Sequence, residues 1–114
     1  MKRMKRIVAI AMIATMMILL CSCGSPKYSD MAGLWIGEWV YEGAEIKKAI
    51  EFTIDGKYGE ITFRDGVLSG GEEGTYEIKG RKVFCYENGN KGTYTKYKYK
   101  SGKLINNKHA IIKQ

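Results

Sequence analysis

Few side chains in this sequence are of the types that perform catalysis. His109 is the one histidine, so neither a histidine metal cluster nor a well-supported catalytic triad can be assembled. Cys85 lies in an alternating run where a small buried thiol is favoured over a nucleophile. Glu72 and Glu73 are adjacent, and their carboxylates are expected to point apart rather than share acid–base work. We therefore expect a protein that is not an enzyme and needs no metal or other cofactor.

The sequence instead indicates export of the chain and chemistry at a cysteine near the N-terminus. Residues 1–6 carry four positive charges, and residues 7–20 carry none and are mostly apolar. This order is typical of a cleavable secretory signal, here predicted as an N-terminal signal helix. The uncharged run is shorter than the roughly 20 residues that a membrane-spanning helix needs, which disfavours an uncleaved anchor.

The end of this segment, Leu20-Cys21-Ser22-Cys23, resembles the lipobox of bacterial lipoproteins. A signal peptidase needs a small side chain before the cut, and Ser22 provides one whereas Leu20 does not. The resemblance implies that residues 1–22 are a lipoprotein signal peptide and that Cys23 carries the lipid. It also implies a protein anchored by acyl chains on the extracytoplasmic face of a cell membrane.

Removal of the signal changes the meaning of the composition. The formal charge of the whole chain is +7, and +3 remains once the four positive residues of the signal are gone. The basicity of the sequence is therefore no sign of nucleic-acid binding, and we expect no such partner. With Cys21 removed and Cys23 lipidated, no internal disulfide is expected, so a hydrophobic core must hold the domain together.

The remaining sequence predicts a polar tether followed by one β domain. Residues 23–30 contain the only proline and are predicted to be a lipidated tether, and residues 31–114 are predicted to be the folded domain. Short runs of alternating polar and apolar residues, separated by glycine turns, predict an all-β fold, a small antiparallel meander barrel of seven or eight strands. The predicted strands are 34–41, 46–55, 58–64, 74–79, 81–87, 93–100 and 103–106, with 67–68 as a short edge, 69–73 as a loop and 110–112 as a last apolar piece.

Strand periodicity also predicts which side chains enter the barrel. The predicted inward positions are Ile50, Phe52, Ile54, Gly59, Ile61, Phe63, Tyr76 and Ile78. The predicted outward positions on the strand 58–64 are Tyr58, Glu60, Thr62 and Arg64.

Two segments of the domain resemble the lipocalin-like lipoproteins of bacteria. These are Gly33-Leu34-Trp35-Ile36-Gly37-Glu38-Trp39, similar to a Gly-x-Trp opening strand, and the Gly-Thr-Tyr-x-Ile hairpin that begins at Gly74. The resemblance implies a barrel with a binding role. The chain is much shorter than a true lipocalin, and its aromatic and aliphatic side chains can fill an eight-stranded barrel, so a small apolar ligand is not favoured.

Lysine is concentrated in the last quarter of the chain, where residues 88–114 hold seven lysines and no acidic residue. The period of two puts Lys96, Lys98 and Lys100 on one face of a strand and Thr95, Tyr97 and Tyr99 on the other. Such a row could bind an anionic envelope component: phospholipid head groups, a wall polymer or an acidic protein. The alternative is that these lysines guard a strand edge and pair with glutamates on a neighbouring strand.

Trp35 and Trp39 share one face of the first predicted strand. Burial in the core is the favoured interpretation, because a small barrel needs aromatic volume, and an aromatic binding platform is the alternative.

Two classes of function remain open from the sequence. The first is a lipid-anchored, non-catalytic binding or structural module that recognises an envelope component or partner through its surface. The second is an inhibitor or immunity-type lipoprotein that blocks an enzyme. The segment from Ser69 is faintly similar to the inhibitory loop of membrane-bound lysozyme inhibitors, which would give roles to Ser69, Gly70, Glu72, Glu73 and Tyr76.

Overall fold

A computed structural model describes residues 25–114, which form a closed barrel of eight antiparallel strands preceded by one short helix. The elements are α1 (Tyr28–Met31), β1 (Gly33–Tyr41), β2 (Ala44–Phe52), β3 (Lys57–Arg64), β4 (Val67–Lys79), β5 (Lys82–Glu87), β6 (Tyr94–Lys100), β7 (Lys103–Asn106) and β8 (His109–Lys113). Each strand pairs with the next, and β8 closes the barrel against β1. The predicted all-β meander barrel is confirmed, whereas the predicted signal and Cys23 lie outside the described residues.

Hairpin turns arise where the sequence supplies residues that tolerate a left-handed backbone. Asp65 and Gly66 join β3 to β4 with φ angles of 49° and 79°, and Asn88 and Gly89 follow β5 with 52° and 72°. Two consecutive positive φ angles match the right-handed twist of the flanking strands. Asp-Gly and Asn-Gly are the sequences that favour such turns.

The predicted orientation of β3 is wrong. Tyr58 and Glu60 point into the barrel and are 4% and 9% exposed, whereas Ile61 is 45% exposed. The cause is the register with β2, in which Phe52 lies opposite Tyr58 and Ile50 lies opposite Glu60. Residues directly opposite one another on antiparallel strands share a face, so the inward side of β2 sets the inward side of β3.

Two further predictions about local structure are wrong. Ile54 lies after the end of β2 and is 66% exposed, so the alternation that suggested its burial runs past the strand. Residues 69–73 form no loop, because β4 continues through them and pairs with β3, with Ser69 as one extra residue where the register shifts between Thr62 and Phe63.

One end of the barrel is filled by side chains and covered by α1. The buried cluster consists of Met31, Trp35, Ile50, Phe52, Tyr58, Tyr76, Val83, Cys85, Tyr97, Leu104 and Ile111. Trp35 Nε1 donates a hydrogen bond to the Met31 carbonyl oxygen at 2.8 Å, which fixes the helix over the core. The Tyr28 ring lies 5.3 Å from that of Tyr76, whose hydroxyl donates to the Thr53 carbonyl oxygen at 2.6 Å. These contacts make residues 28–31, of which 28–30 were predicted as tether, part of the packed unit.

At the other end of the barrel the wall is incomplete, because the neighbouring strands there differ in length. Strand β4 pairs with β3 from Val67 onward, but with β5 only from Gly74 onward. Strands β3 and β4 therefore extend beyond β5, and polar side chains can enter the interior where the β5 wall ends.

Gly74 is the glycine on which the β4–β5 pairing depends most directly. A Cβ atom there would overlap the carbonyl oxygen of Tyr86 on β5, whereas a Cβ at Gly59 on β3 would meet no heavy atom within 4 Å. We expect Gly74→Ala to lower the free energy of unfolding by about 1–3 kcal/mol, the usual cost of overpacking, because the backbones must separate.

Chemical denaturation followed by tryptophan fluorescence measures this difference. Gly59→Ala is the matched control, since it adds the same methyl group to the neighbouring strand, and it should cost clearly less. Equal losses in the two variants would show that the β4–β5 approach is not a constraint.

Candidate functional site

The barrel interior contains a buried ion pair in addition to its apolar core. Lys48 on β2 places its Nζ 3.0 Å from Glu60 Oε1 on β3, with the side chains 19% and 9% exposed. Lys48 Nζ also donates a hydrogen bond to the Tyr97 hydroxyl at 3.3 Å. A buried lysine and glutamate are tolerable together because each neutralises the other, whereas either alone would carry a large desolvation cost.

The Tyr97 and Cys85 side chains lie beside this ion pair in the barrel interior. Burial raises the pKa of the Tyr97 hydroxyl and of the Cys85 thiol, and the Glu60 carboxylate adds to both shifts. Cys85 is 2% exposed and forms no disulfide among the described residues, so the expectation of a small buried thiol is confirmed. A thiol whose pKa is raised stays protonated near neutrality and is a poor nucleophile.

Glu72 on β4 is the central acid of a second group of carboxylates. It lies directly across the strand pair from Glu60, and Glu87 at the end of β5 also approaches it. Burial, together with the neighbouring Glu60 and Glu87 carboxyl groups, raises the pKa of Glu72 to about 7. Glu72 therefore gains or loses its proton close to neutral pH.

These carboxylates line a cleft of about 730 Å³ that is open to solvent, which we call the acidic cleft. Its walls are formed by Leu34, Ala49, Glu51, Gly59, Glu60, Ile61, Gly71, Glu72, Glu73, Glu87 and Asn88. Five of these residues are glutamates and none is basic. By the strand register, Leu34, Ala49 and Ile61 lie on the outer face of the sheet, whereas Glu60 and Glu72 point into the barrel, so the apolar part of the lining and these two carboxylates lie on opposite faces.

A second surface consists of basic residues on the outer wall of β5, β6 and β7, and we call Lys82, Lys96, Lys98, Lys100 and Lys103 the lysine face. All five side chains are exposed. The register places Lys98 opposite Lys82, and Lys100 opposite Lys103. Like charges directly opposite one another on a sheet are destabilising, so this surface is not arranged for stability alone.

The pairing with glutamates that the alternative interpretation of these lysines requires is not observed. Strand β6 pairs with β5 over Tyr94–Lys98 and with β7 over Lys98–Lys100, so only Lys98 is paired on both sides. Within residues 25–114, salt bridges involve Lys48, Lys79 and Lys91, and none includes a member of the lysine face.

The two tryptophans of β1 have different environments. Trp35 is 1% exposed in the core, so its alternative role as part of a binding surface is wrong. Trp39 is half-buried, and its ring stacks on His109 with centroids 4.3 Å apart and planes 15° apart. His109 is thus a packed side chain between β8 and β1.

The residues predicted to form an inhibitory loop do not form one. Ser69, Gly70, Glu72 and Glu73 belong to β4, and Tyr76 is 2% exposed in the core with its hydroxyl bound to Thr53. The structure brings Glu72 and Glu73 together with the acidic cleft instead. The inhibitor function itself stays a prediction.

Sequence reasoning missed Lys48, Glu60 and Glu87 as members of an interior polar site. Lys48 and Glu60 could have been found from the register of β2 with β3. Glu60 lies opposite the buried Ile50, and Lys48 is two residues from Ile50 on the same face of β2. The apolar periodicity of β3 predicted the opposite orientation, because Ile61 and Phe63 are more apolar than Tyr58 and Glu60. Glu87 joins the group only through the pairing of β4 with β5.

Within residues 25–114, no three or more histidine, cysteine, aspartate or glutamate side chains are arranged to hold a metal ion. In the same range, no helix has the length and apolar character required to cross a membrane. Comparisons with protein families, with curated proteins and with solved structures found no match to this chain.

The raised pKa of Glu72 predicts how stability depends on pH. Between about pH 4.5 and 7 the folded protein keeps a proton on Glu72 that the unfolded chain has already released. The free energy of unfolding should therefore fall as the pH rises through this window and become level above it. Glu72→Gln keeps the neutral form at all pH values, so it should remove this fall and be more stable than the wild type at about pH 8.

Urea denaturation at a series of pH values measures the effect. The control is Glu73→Gln, the exposed neighbour, which should keep the pH dependence of the wild type. A Glu72→Gln curve parallel to the wild-type curve across the window would contradict the assignment.

Proposed function

We propose that this protein is a lipid-anchored, non-catalytic lipoprotein of the bacterial envelope whose lysine face binds anionic phospholipid head groups. The single observation that carries the proposal is the lysine face itself, five exposed lysines on adjoining strands without a salt bridge in the described structure. An array of like charges that lowers stability is explained by a partner of opposite charge.

The position of the lysine face relative to the N-terminus supports a membrane as that partner. Lys100 and Lys103 flank the β6–β7 turn, and Lys82 follows the β4–β5 turn at Gly80. Ser25 Oγ donates a hydrogen bond to the Gly80 carbonyl oxygen at 2.9 Å, so the chain leaves the barrel at this end. Cys23 is two residues further, a reach of at most about 7 Å along the chain.

A lipid on Cys23 would therefore hold the lysine face next to the membrane surface. Stable attachment generally needs more than one acyl chain, or one chain and a basic patch, and the two signals here would act at the same end of the molecule. The lipobox-like sequence and the lipocalin-like strand and hairpin motifs agree with this assignment. The closed barrel supplies the rigid wall on which the lysines are spaced.

Binding to vesicles tests the lysine face separately from the lipid. A fragment starting at Gly24 contains all eight strands and the whole described core, and lacks Cys23. It should sediment with phosphatidylglycerol-containing vesicles and not with phosphatidylcholine vesicles, and added salt should release it. Replacing Lys96, Lys98 and Lys100 by Gln should weaken binding by up to about 3 kcal/mol, roughly a hundredfold, since each lysine near an anionic surface contributes about 1 kcal/mol.

The matched control replaces three exposed lysines elsewhere, Lys47, Lys57 and Lys108, by Gln. It changes the net charge by the same amount and should bind more tightly than the lysine-face variant. If the two triple variants lose the same affinity, net charge rather than the lysine face governs binding.

The lipid assignment has its own test in Cys23→Ser. The serine cannot form the thioether, so the variant should accumulate unprocessed and should lack the mass of a diacylglycerol, as measured by mass spectrometry of the purified protein. Cys21→Ser is the control and should mature normally, because Cys21 belongs to the predicted signal. A Cys23→Ser protein with the mass of the lipidated wild type would refute the lipobox assignment.

A further inference from the structure

The side of β4 that faces β5 is unpaired over part of its length. Strand β4 pairs with β3 along Val67–Thr75, whereas its pairing with β5 begins at Gly74. One further backbone hydrogen bond, from Asn88 N to the Glu73 carbonyl oxygen at 2.9 Å, ends the contact on this side. Among the described residues, Val67–Glu72 therefore has a neighbouring strand on one side only. This stretch is as long as a typical strand, and we call its unpaired side the free edge.

Backbone groups at the free edge point to solvent. In an antiparallel strand the N–H and C=O of one residue point to the same side, and successive residues point to opposite sides. The Glu73 carbonyl faces the β5 side, so the N–H and C=O of Gly71 face that side as well, where β5 has ended. Gly71 is exposed. Unpaired backbone groups of this kind are a template for pairing with another chain.

The side chains of the free edge leave room for a second backbone. Ser69, Gly70 and Gly71 are small and exposed. They line a groove of about 410 Å³ together with Ile61 and Leu68, which are 45% and 64% exposed. Glycine within a strand commonly marks a place where another backbone approaches closely. The free edge thus combines unpaired backbone groups with an apolar contact for alternate side chains of an added strand.

Charge at the free edge decides between a second copy of this chain and a different partner. Glu72 points into the barrel and Glu73 points outward, so an added strand would have a carboxylate beside it on each face. Pairing of two copies through this edge would bring the Glu72 and Glu73 carboxylates of both chains together, which like charges disfavour. A strand with basic side chains has the complementary charge.

We propose that the free edge of β4 binds an extended peptide segment of alternating apolar and basic residues as an added antiparallel strand. Gly71 lies opposite the exposed Ile61, so residues of the segment that pair with Gly71 lie on the outer face. Their side chains contact the groove beside Ile61 and Leu68, and the basic side chains between them point inward, toward Glu72. In this mode of recognition main-chain hydrogen bonds supply affinity and alternate side chains supply specificity.

Titration of the full chain, solubilised in a neutral detergent, tests the free edge. The probe is the peptide Val-Lys-Val-Lys-Val-Lys-Val with a fluorescent dye at its N-terminus and an amidated C-terminus, and its fluorescence anisotropy is measured. We expect saturable binding. The same peptide with glutamate in place of each lysine should not bind. Equal binding of the two peptides, or no saturable binding of the lysine peptide, would overturn the proposal.

Two N-methylated forms of the probe distinguish strand pairing from attraction of charges alone. The valines, which pair with Gly71, direct their N–H groups toward β4, and the lysines between them direct theirs to solvent. Methylation of the valine nitrogens should therefore weaken binding at least about tenfold, because it removes the donors of main-chain hydrogen bonds. Methylation of the lysine nitrogens should leave the affinity nearly unchanged. Equal affinity of the two methylated peptides would refute strand addition.

Two substitutions at Gly70 locate the segment on the protein. A Cβ atom there would meet no heavy atom within 4 Å, so either new side chain fits. Gly70→Lys places a positive charge at the free edge and should weaken binding by about tenfold. Gly70→Glu is the control matched in position, and it should not weaken binding. Wild-type affinity in Gly70→Lys would show that the peptide binds elsewhere.

The free edge is separate from the lysine face, so the two proposals can fail independently. The triple variant of Lys96, Lys98 and Lys100 should bind the peptide as the wild type does and lose vesicle binding. Gly70→Lys should do the reverse.

Discussion

Closure of the barrel is the constraint on which the rest of this structure depends. Strand β8 meets β1 through two opposed pairs, Trp35 with Lys113 and Ile36 with Ile112. The seam is reinforced where the Ile111 side chain lies against Gly37, at which a Cβ atom would come within 2.8 Å of it. Once the seam forms, the sheet closes on itself, and every side chain on the inner face must be buried, paired or placed at an opening.

The interior satisfies this requirement differently at its two ends. At the end covered by α1, aromatic and aliphatic side chains fill the space, and Trp35 fixes the helix through the Met31 carbonyl. Towards the end where the β5 wall stops, the same inward alternation continues with charged residues. Lys48 and Glu60 neutralise one another, while Glu72 keeps a raised pKa among carboxylates. The fold therefore leaves little room for a large apolar ligand and concentrates its unbalanced polarity at one cleft.

Charge on the outer wall follows from the order of the chain because each strand lies beside its neighbour in sequence. The late, lysine-rich strands become one basic wall, and the earlier, glutamate-rich strands form the wall that contains the acidic cleft. Since the N-terminal segment leaves the barrel near Gly80, the proposed lipid anchor on Cys23 would bring the basic wall toward a membrane surface.

The fold class, the meander order and the principal turns could be predicted from the sequence, because alternation of period two and Asp-Gly or Asn-Gly turns are local signals. The outward direction of Lys96, Lys98 and Lys100 could also be predicted, since the tyrosines between them have one favourable side. The face of β3 that points inward and the continuity of β4 could not be predicted, because cross-strand register fixes both. In the sequence of β3, the apolar residues of the outer face made the wrong side of the strand look buried, whereas Tyr58 and Glu60 are the residues that point inward. The acidic cleft was decided by tertiary structure alone: its glutamates come from four strands, and burial in the barrel together with the pairing of β4 with β3 and β5 brings Glu60 and Glu87 close enough to raise the pKa of Glu72.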